Sequence, residues 1–361
     1  MQKRFSLLAF ALGLFGLCLP TSAQTYTFST LYNFRSDSQG SAPSAPSALI
    51  VDTAGNVYGT TLFGGKEGAG TVYELSAGGG FTVLHVFNGT DGYNPQSLTR
   101  DRKGNLYGAT WQIGYPGTVF KMVKGSGGHY TFINLYDAAY AQPAALTVDS
   151  GGNVFGSNGV DPRSCLCVFE IPAGGQWEDI YSTGGVPVYP GNALIDNAGG
   201  VYTSVNYDEI GSTGYILEVE GGSQRYDLPH DAAGAYLAGQ DAAGNIYGLA
   251  RGMNGVAPPT ILFKLDLSTG SFSRIYTFTA VGSPFAPLVV DSAGNTYGVG
   301  GDGFVFKITP QGQEKLLYDL SKTTAGPGSG IAMDGAGNLY GHTYFGGTYN
   351  GGIIYKLTLE K

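Results

Sequence analysis

An eight-residue phrase, Asp-x-x-Gly-Asn-x-Tyr-Gly, recurs seven times with small variations, starting at Asp52, Asp101, Asp149, Asp196, Asp241, Asp291 and Asp334. The spacings are 49, 48, 47, 45, 50 and 43 residues. A period of this size implies copies of one small unit, each unable to bury its faces without neighbours. The units are rich in β-branched and aromatic residues and punctuated by glycine, so each reads as a small antiparallel sheet and the set as a ring. Repetition also sorts the residues. Those that recur serve the common framework, and those that differ are available for binding.

One unit, Ser47 to Phe87, shows how the strands follow. Ala48-Leu49-Ile50-Val51 is a short apolar run suited to an innermost strand buried on both faces. Asp52-Thr53-Ala54-Gly55 has the chemistry of a type I turn, with a carboxylate to accept backbone N–H groups and a left-handed glycine. Asn56 to Thr60 returns as the second strand. Its Tyr58 is expected to pack between sheets, and Gly59 lets a ring or backbone come close. Gly70 to Leu75 forms the third strand, and Phe81 to Phe87 the outer one. Four strands in each of seven units predict an all-β, seven-bladed β-propeller. After Leu357 the seventh unit has only three strands. Leu31-Tyr32-Asn33-Phe34 matches the outer-strand pattern Ile275-Tyr276-Thr277-Phe278, so the N-terminal segment is expected to complete the last blade and remove an open edge. An open β-solenoid, the alternative, has no need of that latch.

Residues 1–23 read as an export signal. Lys3 and Arg4 precede an apolar stretch from Phe5 to Leu19, and Thr21-Ser22-Ala23 places small residues at a cleavage site after Ala23. The stretch is shorter than the roughly 20 residues a membrane-spanning helix needs. Residues 24–361 are then a single propeller, secreted or periplasmic, with no membrane insertion after cleavage. Two of the 19 basic residues and none of the 27 acidic ones lie in the leader, which leaves a net charge of −10. Such a surface repels phosphate backbones, so nucleic acid is a poor partner. Charged residues are 13% of the chain, about half the ~25% usual for globular domains, and 60 glycines and 25 tyrosines take up the difference. Cys165 and Cys167 provide no disulfide framework. A strained disulfide, a metal site short of ligands and two idle thiols all remain open for them.

The unit, read on through Gly-Gly, Gly-Thr-Val-Tyr/Phe and Leu-Tyr-x-Phe, resembles the GloVer tandem repeat, most clearly over Asp52 to Phe87 and Asp101 to Tyr136. That repeat typifies a bacterial family of exported proteins named for interchangeable C-terminal anchors. The resemblance implies an extracytoplasmic, propeller-like repeat protein and lends no catalytic residues. The fourth unit departs from it, with Gly200 in place of asparagine and Thr203 in place of the last glycine, and no anchor follows the last repeat. Looser similarity extends to NHL-type propellers and to the virginiamycin B lyase group through the Asp-x-x-Gly-Asn turn.

Catalytic chemistry is sparse. Propeller lactonases and lyases need carboxylates, amides or histidines on the innermost strands, yet here those strands are apolar with an occasional hydroxyl and Arg100. The recurring aspartates follow these strands and read as turn caps. No metal or other cofactor is expected. Of four histidines, His85 and His129 read as surface residues, and His230 and His342 sit in or near variable loops. Loops on a rigid scaffold carry function, so the face with the longer, irregular loops is the candidate. Its binding residues are Tyr93, Trp111, Tyr115, Tyr140, Tyr189, Tyr207, Asp208, Arg251, His342 and Tyr344. Rings in Gly/Pro-rich loops suit sugar stacking or protein contact, although the same rings also suit plugs between blades. The expected function is a non-catalytic, monomeric module that binds glycan or protein at the cell envelope. The competing class is a propeller lyase or hydrolase acting on an exported small molecule or polysaccharide.

Overall fold

A computed structural model describes residues 25–35, 42–43, 49–65, 67–112, 115–138, 143–158, 167–182, 188–207, 214–219, 224–230, 232–252, 260–279, 283–284, 287–323, 328–344 and 346–360. The leader, Tyr140, Asp208 and Cys165 lie outside the described residues.

Seven antiparallel sheets form a closed ring, the architecture of a seven-bladed β-propeller. Blade 1 comprises Ile50–Val51, Val57–Phe63, Thr71–Leu75 and Phe81–Val86, with Ala42–Pro43 extending its inner edge. Blade 2 runs Pro95–Arg100, Leu106–Gln112, Tyr115–Lys124 and Tyr130–Ala138, and blade 3 Pro143–Val148, Val154–Asn158, Cys167–Ile171 and Glu178–Ser182. Blade 4 is Val188–Ile195, Val201–Tyr207, Tyr215–Glu218 and Arg225–Asp227; blade 5 is Ala232–Gln240, Ile246–Gly252, Thr260–Asp266 and Ser271–Thr277. Blade 6 holds Val289–Val290, Thr296–Val299, Phe304–Ile308 and Glu314–Asp319. Blade 7 holds Gly328–Met333, Leu339–Thr343 and Ile353–Leu359, and takes Tyr26–Asn33 as its outer strand. The innermost strands neighbour one another in blade order, and that of blade 7 lies against that of blade 1.

The repeat phrase is a hydrogen-bonded unit. In blade 5, Asp241 Oδ1 accepts the backbone N–H groups of Ala243 and Asn245 at 3.0 and 2.9 Å, while Oδ2 accepts Asn245 Nδ2 at 2.8 Å and the Tyr247 hydroxyl at 3.1 Å. Gly244 adopts φ +88°, the left-handed conformation that spares glycine a Cβ clash. The same set recurs around Asp101 and Asp334. The asparagine also ties the turn to its neighbour, since Asn56 Oδ1 accepts Ala77 N–H at 2.9 Å and Asn105 Oδ1 accepts Lys124 N–H at 3.0 Å. The motif therefore fastens two turns and one tyrosine on a single face of the ring.

Rings fill the space between blades. Phe87, Phe278 and Phe34 close outer strands and pack against Phe120, Phe306 and Tyr73 of the following blade at 5.3–5.4 Å between centroids. Each donates its N–H to the start of its own blade's third strand, so burial of the ring also fixes the strand end. At roughly 25 cal/mol per Å² of apolar area, such rings dominate the interfaces.

Two expectations change. The inner strands are longer than the apolar runs, because bulges let pairing resume upstream at Pro95, Pro143, Val188, Ala232 and Gly328. Tyr189 and Pro190 are therefore strand residues and not loop residues. His85 is not a plain surface residue either. It stacks on Phe132 at 4.0 Å, meets the edge of Phe87 at 4.7 Å, and places Nε2 3.0 Å from Asp91.

Candidate functional site

The face opposite the repeat turns is built from the exits of the second strands, the entries of the third, and the crossovers between blades. Threonine pairs brace its base. Thr61 and Thr71 share a hydroxyl hydrogen bond of 2.9 Å, Thr110 and Thr118 one of 2.7 Å, and Thr343 accepts the N–H of Ile353 at 3.2 Å. All five threonines are buried or nearly so, so each pair satisfies hydroxyls that are costly to leave alone.

Between blades 1 and 2 the crossover is folded onto this base. Asp91 accepts Asn88 N–H at 2.9 Å through its side chain and the Thr118 hydroxyl at 3.2 Å through its carbonyl. Asn94, at φ +50°, donates to the Ala69 carbonyl at 3.0 Å and accepts Trp111 N–H at 3.3 Å. Gln96 adds a bond to the Trp111 carbonyl at 3.5 Å. The ring of Tyr93 lies over Gly89, where a Cβ would stand 2.4 Å from its hydroxyl. Burial pushes the His85 imidazole below its ordinary value, and Asp91 beside it pulls the other way.

At the closure of the ring a second rigid loop forms. Asn33 Oδ1 accepts Thr348 N–H at 2.8 Å and Asn350 Oδ1 accepts Gly346 N–H at 3.0 Å. Arg35 lies 4.1 Å over the ring of Tyr349 and donates to its hydroxyl, while that ring remains 50% exposed. An exposed ring with a fixed guanidinium offers an apolar face and fork-shaped donors together.

The candidates fall into place by blade. Trp111, Arg251 and Tyr344 each stand four residues after their repeat tyrosines, Tyr107, Tyr247 and Tyr340, and so occupy equivalent points on the rim. Trp111 and Tyr344 are half-buried and Arg251 is exposed. Tyr93 and Trp111 meet the same crossover through Asn94. Tyr115 opens the third strand of blade 2 opposite Gln112. Tyr189 and Tyr207 lie at one end of blade 4, in register with Asn206 and Val188 respectively. His342 lies within the second strand of blade 7, 1% exposed, with its ring 6.4 Å from that of Tyr344. It is a strand residue of the interior. These residues form separate groups spread round one rim and are not gathered at one point. Among the described residues, no group of three or more His, Cys, Asp or Glu side chains is placed to hold a metal ion.

Sequence reasoning missed Asn192, Ser204 and Asn206. Asn192 donates from Nδ2 to the Leu237 carbonyl and accepts Leu237 N–H at 2.7 Å. Ser204 donates to the Ala235 carbonyl at 2.6 Å, and Asn206 Oδ1 accepts Ala235 N–H at 2.7 Å. The signal was available. Asn206 stands four residues after Tyr202, at the rim position of Trp111.

No curated protein is detectably similar in sequence. Among solved structures, the chain resembles an oligogalacturonate lyase from Vibrio parahaemolyticus with a TM-score of 0.62, at 11% identity over 93% of this chain and 98% of that one. It also resembles a Mycobacterium tuberculosis puromycin-hydrolyzing peptidase (TM-score 0.58, 12% identity, 88% of this chain and 52% of that one). A gluconolactonase from Xanthomonas campestris gives a TM-score of 0.50 at 13% identity over 93% and 90%. At such identities the likeness is one of fold. Over residues 16–217 the sequence matches the family described as the Gloeobacter/Verrucomicrobia repeat, and the protein belongs to that family.

Proposed function

We propose that the protein is an exported, non-catalytic interaction module that binds glycan or protein at the cell envelope through its irregular loop face. The observation that carries the reading is the rim position four residues past the repeat tyrosine. Apart from Asn206, which bonds to blade 5, the framework accepts very different residues there: Leu62, Trp111, Arg251, Gly301 and Tyr344. Where a scaffold does not dictate a residue, an aromatic or a cation is free to serve a ligand, and rings held on a braced base bind at low entropic cost. Trp111 is tied through its backbone to the Asn94 crossover and to Gln96, so its ring is presented by a fixed main chain.

The test is binding of the purified chain, from Gln24 onward, to a glycan array and to detergent-solubilised envelope proteins. The expected outcome is retention of a discrete glycan or protein. Trp111→Ala should weaken it by roughly 2 kcal/mol, in the range of an aromatic hot spot, with unchanged thermal stability. The propeller lyase or hydrolase is the competing class. Turnover of an exported small molecule or polysaccharide that is lost in His342→Ala, with no retained ligand, would transfer the assignment to it.

A further inference from the structure

The turn face carries a feature that the framework does not ask for. Six blades place small or uncharged residues at the two central positions of the first turn: Thr53-Ala54, Ser150-Gly151, Asn197-Ala198, Ala242-Ala243, Ser292-Ala293 and Gly335-Ala336. Blade 2 alone places Arg102-Lys103 there, and both are exposed. The position before the aspartate is Val51, Val148, Ile195, Gln240, Val290 or Met333 elsewhere, and Arg100 in blade 2. The residue whose N–H bonds the turn asparagine is Ala77, Ala173 or Leu359 in blades 1, 3 and 7, and Lys124 in blade 2. Four structurally equivalent positions thus become cationic together, in one blade of a chain whose net charge is −8.

These cations are brought together. A Cβ placed on Gly104 would lie 3.1 Å from both Arg100 Nη2 and Lys124 Cδ, so the guanidinium and the lysine stem converge on one turn. Asp101, whose oxygens accept Lys103 N–H, Asn105 and the Tyr107 hydroxyl, supplies one negative charge against these four positive ones, so the group stays cationic. Asp52 of blade 1 stands 3.8 Å from Arg100 and takes up part of that one charge. Arg102, Lys103 and Lys124 form no ion pair among the described residues. Half-buried Tyr130 borders the group, with Lys124 Nζ 5.8 Å from its ring centre and its hydroxyl bonded to the Gly104 carbonyl at 3.2 Å.

We infer that the turn tips of blade 2 form a docking surface for an acidic polysaccharide, gripped by Arg100, Arg102, Lys103 and Lys124. A polyuronate presents one carboxylate per sugar, which matches guanidinium and ammonium donors, and an apolar sugar face, which suits Tyr130. Nucleic acid is disfavoured, because so small a patch sits on a chain of net charge −8, and a denser polyanion feels more of that repulsion. This surface lies opposite the irregular loop face and is independent of it.

The probe is polygalacturonate, titrated at low salt against the intact propeller, with neutral dextran, duplex DNA and phosphatidylglycerol vesicles as comparisons. Polygalacturonate should bind and dextran should not, with affinity falling steeply as salt rises. Arg102→Ser with Lys103→Ala copies the turn of blade 6, and Lys124→Ala copies blade 1. Each should weaken binding about tenfold at unchanged thermal midpoint, because the backbone bonds of the turn need no particular side chain. Absence of polygalacturonate binding, full binding by the Ser-Ala variant, or tighter binding of DNA or vesicles would overturn the inference. A polyuronate lost in Trp111→Ala but kept in the Ser-Ala variant would also overturn it, while leaving the loop-face reading standing.

Discussion

Blade 4 and the other six blades hold together by different means. In the six, the glycine after the repeat aromatic faces a ring across the sheet: Gly59 with Tyr73, Gly108 with Phe120, Gly156 with Phe169, Gly248 with Phe263, Gly298 with Phe306 and Gly341 with Tyr355. A Cβ on any of these glycines would lie 2.3–2.6 Å from a ring atom. Blade 4 pairs Thr203 with Leu217 instead. It also carries Gly200 where the other turns carry asparagine, so the amide that binds the carboxylate and the neighbouring turn is gone. In its place, Asn192 and Asn206 stitch the blade to the inner strand of blade 5, beside a Ser204 bond that has a counterpart in blade 3, where Ser157 donates to the Gly191 carbonyl of blade 4. The difference teaches that repeat positions lapse in linked sets. When the glycine is given up, its partner ring goes with it, and the joint to the next blade gains the Asn192 and Asn206 bonds.

The sharpest way to break this comparison is to put one residue at both positions. Gly108→Val should destabilise by about 3 kcal/mol or more, because Phe120 and the Ser97 carbonyl already crowd the site. Thr203→Val keeps volume and loses only a long bond of 3.5 Å to the Asn192 carbonyl, so about 1 kcal/mol is expected. Urea denaturation of the two variants decides it. Equal losses would mean that glycine and ring are not a coupled pair.

The same contrast explains what was legible in the sequence. Closure was legible because Leu31 to Phe34 repeats an outer-strand pattern, and Tyr26–Asn33 pairs with Ile353–Leu359. The turns were legible because aspartate, glycine and asparagine have local chemistry that needs no tertiary knowledge. The tyrosines were placed between sheets, but their bond to the turn aspartate was not foreseen, since it joins residues six apart across a strand end. Bulges hid the true length of the inner strands. A bulge is a mismatch between two strands, and neither strand's sequence declares it alone. The rim was only half seen. Trp111, Arg251 and Tyr344 stand out by residue type, whereas their equivalence lies in their distance from the repeat tyrosine, a distance that also picks out Asn206.

The second test addresses the stitching. Asn192→Ala leaves the N–H and C=O of buried Leu237 without their side-chain partner, and a buried amide left unsatisfied costs about 2 kcal/mol. Asn56→Ala in blade 1, whose amide serves one part-buried turn and one exposed turn, should cost about 1 kcal/mol. Thermal unfolding with N192A milder than N56A would place the main anchorage back inside the blades.

The smallest effect comes from carrying blade 4's departure into blade 5. Burial alone pushes the carboxyl of Asp241 up, but the Asn245 side chain, the backbone N–H groups and the Tyr247 hydroxyl outweigh it and hold it below its ordinary 3.8. Asp52, Asp101 and Asp334 are depressed in the same manner, with burial again opposed by the turn bonds. A folded value below the unfolded one means stabilisation that is fully present above about pH 4 and lost as pH falls through the folded values. Asn245→Gly copies Gly200, removes the bond to Oδ2 and gives the strand a glycine, so it should cost about 1 kcal/mol near neutral pH. The gap between variant and parent should then narrow on acidification, because the parent loses in acid the bond that the variant already lacks. Denaturant midpoints followed down through pH 4 measure that gap. A gap of constant size would mean that the asparagine supports the turn through its shape and not through the carboxylate's charge.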